Sequence, residues 1–279
     1  MKHTTVLLIF LVGAVSSVAG DPAELGRDVA AATASLRAGD CERALGLLAD
    51  AGRRGSADAQ AILGTLYYTG DCTEPDPASA VDWLVAAAEQ GSDLAATNLA
   101  AMYYRGDGVD RDPARAAGLY RKAADRGYAR AQNALAGMLA EGTGVERDPA
   151  QAVHWYRLAA EQGLSDAEFH LGHLLFRGEG VERDLQQAAE WFRRAAERGH
   201  AMAQYYLGMQ YRTGRGVAED RPTAYAWLVI AARNGHAEAA DQQRQVGEAL
   251  AGADRKRAAR LVDEFARYVE PSNDPLGPR

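Results

Sequence analysis

AEFHLGHLLFRGEGVERDLQQAAEWFRRAAERG, running from Ala167 to Gly199, decides the fold. Ala167, Leu171, Leu174 and Leu175 recur at three- and four-residue steps, the spacing that gathers side chains on one face of a helix. Gly178, Glu179, Gly180 and Val181 stop that helix, because glycine takes the left-handed conformation a helix C-terminus needs. Asp184 then offers a carboxylate to the orphan amides of a second helix. Ala188, Trp191, Phe192, Ala195 and Ala196 form the apolar face of that second helix before Gly199 ends it. The unit is therefore helix A, a glycine-rich loop, helix B and a glycine turn.

The same unit recurs on both sides. Gly55, Gly91, Gly127, Gly163, Gly199 and Gly235 are spaced by 36 residues without insertion. The offset also collects Leu63, Leu99, Leu135, Leu171 and Leu207, and it puts all four tryptophans, Trp83, Trp155, Trp191 and Trp227, in one column with Leu119. Elsewhere the helix B cap reads Asp76-Pro77, Asp112-Pro113 and Asp148-Pro149, and proline at a first helical position costs little because its missing N–H had no partner. A helix pair this short cannot bury its apolar face alone, so the period predicts units stacked on their neighbours.

The pattern A-x-x-x-L-G-x-x-Y/L-x-x-G-x-G-V-x-x-D-x-x-x-A-x-x-W-Y/F-x-x-A-A-x-x-G resembles the Sel1-like repeat, a relative of the tetratricopeptide repeat, from Gly55 to Asn234. The resemblance implies an all-α fold, a right-handed α-solenoid of stacked helix-turn-helix Sel1-like repeats. Five repeats are expected at 55–90, 91–126, 127–162, 163–198 and 199–234. An N-terminal capping helix pair is expected over 21–54, and C-terminal capping helices over 235–270. Departures are local: Asp71, Cys72 and Thr73 replace the x-Gly-Val of later loops, and Ala100 and Ala136 stand where the family favours glycine.

The first residues read as an address. MKHTT is a short leading region with one lysine, and Val6 to Val15 is uncharged and apolar. Small residues at Ser17 and Ala19 fit a signal peptidase site, with cleavage after Ala19 or Gly20. The apolar stretch is shorter than the roughly 20 residues of a spanning helix. A signal peptide over 1–20, a periplasmic or secreted protein and no stable membrane insertion are therefore expected. The proline-rich end, 271–279, is expected to be disordered. The 279-residue chain carries 31 basic and 38 acidic residues, a formal charge of −7, which argues against nucleic-acid binding. A polar final helix favours a monomer.

Chemistry-bearing residues are few. Cys41 and Cys72, in or beside the A–B loops of adjacent units, are read as a disulfide stabilising by roughly 3–4 kcal/mol, with free thiols or a redox switch as alternatives. His170 and His173 lie three apart on one helix, but a zinc site needs three or four ligands, so they are expected to be surface or groove histidines. No S-x-x-K, G-x-S-x-G or Walker-type loop occurs, and the G-x-G-V loops and paired carboxylates repeat with the period, which makes them turns and caps. No catalytic residue, metal or cofactor is expected.

Function then rests on residues that vary from unit to unit. In relatives of this fold helix A lines a concave groove. By that resemblance the groove would carry Tyr68, Tyr104, Arg105, Phe169, His173, Phe176, Arg177, Tyr205, Met209 and Arg212. Aromatics and arginines of this kind compose interface anchors. They suggest a bound polypeptide segment, with Arg177 and Arg212 pairing to its carboxylates. The resemblance implies an exported interaction scaffold or adaptor, in the manner of periplasmic regulators of sensor kinases or envelope assembly. The alternative is a cell-wall enzyme or a β-lactam- or peptidoglycan-binding protein.

Overall fold

The computed structural model describes residues 20–269; the expected leader, save Gly20, and the tail 271–279 lie outside the described residues. Among the described residues the chain forms fourteen helices and no strand. Two capping helices come first, α1 (Pro22–Arg37) and α2 (Cys41–Arg53). Helix A of each repeat follows as α3 (Ala57–Thr69), α5 (Asp93–Arg105), α7 (Ala129–Glu141), α9 (Ser165–Arg177) and α11 (Ala201–Thr213). Helix B alternates with it as α4 (Pro77–Glu89), α6 (Pro113–Asp125), α8 (Pro149–Glu161), α10 (Leu185–Glu197) and α12 (Arg221–Arg233). The last two are α13 (Ala237–Ala249) and α14 (Gly252–Tyr268). The helices fall into two compact units, one ending at Ala95 and the other beginning at Ala96, within α5. No helix of the described residues is long and apolar enough to cross a membrane.

Every helix B starts on an aspartate. Asp76, Asp112, Asp148 and Asp220 each accept from the backbone N–H three residues on, at 3.1, 2.9, 3.0 and 3.2 Å. Hydrogen bonds to the ionised form hold two of these carboxyls below their usual range: Asp76 through the Ser79 hydroxyl and then its N–H, and Asp148 through the Gln151 N–H and then its side-chain amide. Within a unit the two helices approach closely at one column of small residues. A β-carbon at Gly172 would lie 2.9 Å from Phe192, one at Gly208 2.9 Å from Leu228, and one at Gly64 2.7 Å from Leu84. Phe192 is wholly buried by this approach, which stabilises by roughly 2–3 kcal/mol.

A second column of side chains ties helix A to the helices beside it. Gln60, Gln132 and Gln204 are buried, and each donates Nε2 to a carbonyl eight residues earlier: Gly52, Ala124 and Ala196, at 2.9, 3.2 and 2.9 Å. Their Oε1 atoms accept from Gln90, Gln162 and Asn234 at 2.7, 2.8 and 3.0 Å. Glu168 occupies this column in the fourth repeat, fully buried, and a carboxylate cannot donate to the waiting Ala160 carbonyl. Arg194 does so instead at 3.1 Å, and the same guanidinium lies 3.0 Å from Glu168 Oε1. Arg198 brings its Nε to 3.4 Å from Oε2. Burial pushes the Glu168 carboxyl above its usual value, an effect the two arginines partly offset.

A raised carboxyl pKa means the fold disfavours the charged form. Stability from this site therefore falls as pH rises from 4.5 through the folded value. Glu168→Gln restores the donor the column carries elsewhere and cannot titrate. Calorimetry from pH 4 to pH 7 should show the variant gaining about 3 °C on the native protein as pH rises. Parallel profiles would show that this carboxylate contributes no pH dependence.

The A–B loops hold successive repeats together. A β-carbon at Gly180, whose φ is +70°, would overlap the carbonyl of Pro149 and lie 2.7 Å from the Ala150 nitrogen. Gly144 meets Pro113 and Gly216 meets Leu185 in the same way, always 31 residues apart. In the first unit this pair of positions is held by Cys41 and Cys72, also separated by 31 residues, and they form a disulfide with Cα atoms 5.3 Å apart. The covalent bond sits where later units use backbone contact, which explains why the first loop departs from x-Gly-Val. At the other end of α2 Arg54 binds Glu24 at 3.2 Å, Asp50 at 3.0 Å and also Asp28.

At the C-terminal end α14 packs along α12, stacking Phe265 on Trp227 at 4.3 Å. Arg257 clamps the Asp220 carboxylate with two bonds of 3.1 and 2.7 Å. The column of Gly64, Ala100, Ala136, Gly172 and Gly208 reads Arg244 in α13. Arg244 is exposed there, and α14 rests on α12 instead of closing on α13 as a helix B would.

Candidate functional site

In the second unit the helix A row is α5, α7, α9 and α11, and two recesses open between its members. One, of about 220 Å³, lies between α5 and α7, lined by Tyr104, Arg105, Gly137 and Glu141 among others. The other, of about 280 Å³, lies between α9 and α11. Its lining is Phe176, Tyr205, Tyr206, Met209, Gln210 and Thr213, completed by Arg215 of the following loop. Helical spacing brings Tyr205, Tyr206, Met209, Gln210 and Thr213 to one face, at steps of one, three and four.

Aromatic rings stiffen the ground around this second recess. Tyr206 stacks on Phe192 at 5.2 Å and meets His173 and Phe176 edge-on at 5.7 and 6.1 Å. Tyr205 lies flat on His236 at 4.2 Å. His200 stacks on Phe169 at 4.6 Å while its Nδ1 accepts the Ala203 N–H at 3.2 Å, capping α11. That bond needs an unprotonated Nδ1, and burial holds the His200 pKa down, with Asp166 pulling the other way. His170 rests on Tyr156 at 5.0 Å, and burial lowers its pKa to about 4. Neither His170 nor His173 stands on an open surface; both rings are packed and kept neutral by burial. No cluster of metal-ligating side chains occurs among the described residues.

The residues expected in the groove divide three ways. Phe176, Tyr205 and Met209 share the α9–α11 recess, and Tyr104 with Arg105 lines the α5–α7 recess. Tyr68 belongs to α3 in the first unit and joins neither recess. Phe169 is a correction: it is 7% exposed, enclosed by Phe192, His200 and Tyr206, and works as core. His173 lies between Phe169 and Tyr206 and supports the recess from behind.

The two arginines expected to meet a partner's carboxylates are already engaged. Arg177 pairs with Glu179 at 2.8 Å, and Arg212 donates to Gln242 of α13. The cation that lines the recess without an ion pair among the described residues is Arg215, which the groove column does not contain. Gln210 was also missed. Its signal is in the sequence: it is the polar member of the column Leu66, Met102, Met138 and Leu174.

Comparison with known structures finds a Sel1 repeat protein from Oxalobacter formigenes at 27% identity and a TM-score of 0.73, covering 85% of this chain and 96% of that one. A Sel1 repeat protein from Klebsiella pneumoniae is 24% identical with a TM-score of 0.47, over 69% of this chain and 93% of that one. An immunity protein from Pseudomonas aeruginosa is 25% identical with a TM-score of 0.48, over 76% and 82% of the two chains. Comparison with curated protein sequences gives no match. The Sel1 repeat is matched at residues 57–92, 93–128, 129–164, 165–200 and 201–236, each beginning two residues after the start set by the glycine column. With five matches in unbroken succession, the chain belongs to the Sel1 repeat family.

Proposed function

We propose that this protein is an exported, non-catalytic scaffold that binds a polypeptide segment on the helix A row of its second unit. The observation that carries the reading is the α9–α11 recess, where three of the variable side chains singled out in the sequence, Phe176, Tyr205 and Met209, converge. Large aromatic and thioether groups half-exposed around a recess are the composition of an interface anchor site. The Cys41–Cys72 disulfide supports export, since such bonds persist in oxidising compartments.

The test places a photo-crosslinking amino acid at Met209 in the recess and, as a control, at exposed Glu161 on α8. Met209 is preferred to Tyr205, whose ring is committed to His236. A discrete protein adduct in the native compartment from Met209 alone is the expected result. Equal adducts from both positions, or none from Met209 in folded, exported protein, would remove the reading.

A further inference from the structure

Gln210 sets the lining of the α9–α11 recess apart from the same column in the other repeats. Gln210 is 2% exposed; its Nε2 donates to the Leu185 carbonyl at 3.2 Å, while its Oε1 accepts no hydrogen bond. A buried acceptor left unmatched keeps its desolvation penalty uncompensated. The cost is borne at the recess lining, in a column where the other repeats carry leucine or methionine. The recess, about 280 Å³, falls just short of the roughly 300–1,000 Å³ of drug-sized ligand sites and suits one large side chain. Its walls are the rings of Phe176, Tyr205 and Tyr206 with the Met209 thioether, and Arg215 stands at its rim.

We propose that this recess takes a tryptophan or tyrosine side chain of the bound polypeptide, its N–H or O–H donating to Gln210, with an acidic residue close in sequence pairing to Arg215. The proposal rests on the polypeptide-binding reading and adds the chemistry of the segment. Phenylalanine and leucine would fill the same space but leave the glutamine oxygen unmatched. An aromatic ring carrying one donor satisfies it while packing edge or face against the aromatic walls. The acidic neighbour follows from charge complementarity: the arginines next to the recess have internal partners, Arg177 with Glu179 and Arg212 with Gln242, and Arg215 does not.

Phage-displayed random linear peptides, panned on the full chain, supply the probe, and selected peptides are then measured by fluorescence anisotropy. Three variants accompany the native protein: Thr213→Trp to fill the mouth, Gln210→Leu, and Arg215→Glu. Gln210→Leu installs the residue found at Leu66 and Leu174, and Thr213 and Arg215 are exposed, so folding is preserved; thermal melts check it.

The expected selection is a tryptophan or tyrosine with aspartate or glutamate nearby, and binding lost in Thr213→Trp. Gln210→Leu should weaken such peptides about tenfold while leaving their phenylalanine versions unchanged. Arg215→Glu should weaken them about tenfold, with recovery when the acidic residue is changed to lysine. Peptides that need the open recess but carry leucine or phenylalanine, or that ignore Gln210→Leu, overturn this proposal and leave polypeptide binding standing. Absence of any peptide sensitive to Thr213→Trp overturns both.

Discussion

Gly180→Ala should destabilise the second unit by about 3 kcal/mol, lowering its melting temperature by about 6–12 °C. Two independent penalties combine. The residue sits at φ +70°, where a β-carbon is strained, and that carbon would overlap the Pro149 carbonyl. Neither can relax alone: turning the loop to relieve the backbone breaks its seat on the start of α8, and keeping the seat keeps the strain. The matching control is Gly118→Ala. Gly118 lies inside α6 with nothing within 4 Å of a built β-carbon, so alanine there should stabilise by about 0.5–1 kcal/mol. Opposite signs from the same substitution are the expected calorimetric result. A Gly180→Ala melt within 1 °C of the native one would show that the loop does not hold the units together.

Replacing Cys41 and Cys72 by serine should remove about 3–4 kcal/mol from the first unit, because the bond closes a loop across 31 residues of the unfolded chain. Dithiothreitol should lower the native melting temperature and leave that of the serine variant unchanged. The comparison with later units sharpens the test. Cys41→Pro with Cys72→Gly writes the Pro113 and Gly144 pair into the first unit, and it should recover part of the loss that the serine pair does not. Equal stability of the two double variants would mean that chain crosslinking alone, and not the contact, matters at this place.

Most of the architecture is legible in the sequence because it repeats. A single aspartate after a loop is a weak cap signal; five in one column, each bonded to the amide three residues on, are the same signal read five times. The site was less legible, and the reason is geometric. Helix A presents one side to the open row and another to its neighbours, and sequence spacing alone does not say where the boundary runs. Phe169 was placed on the open side, yet Phe192 of α10 and His200 at the head of α11 close over it. Arg212 looked free because its partner, Gln242, belongs to α13. Glu168 and Gln210 were readable in principle, as the odd members of a glutamine column and an apolar column. Variation at buried positions carries as much information as variation at exposed ones.

The arginine at position 244 marks where the column of small crossing residues ends. Repeat arrays lengthen when a block of 36 residues is copied, and every copy must offer a small residue where its two helices cross. Copying the fifth repeat would leave Arg244 where it is; only a copy that used α13 as a helix A would put that side chain at a crossing now held by glycine or alanine. A copy of α13 would need a small residue at that position, whereas each of the five repeats brings its own. The copies that keep the helix crossing intact are thus those of the five repeats and not those of α13.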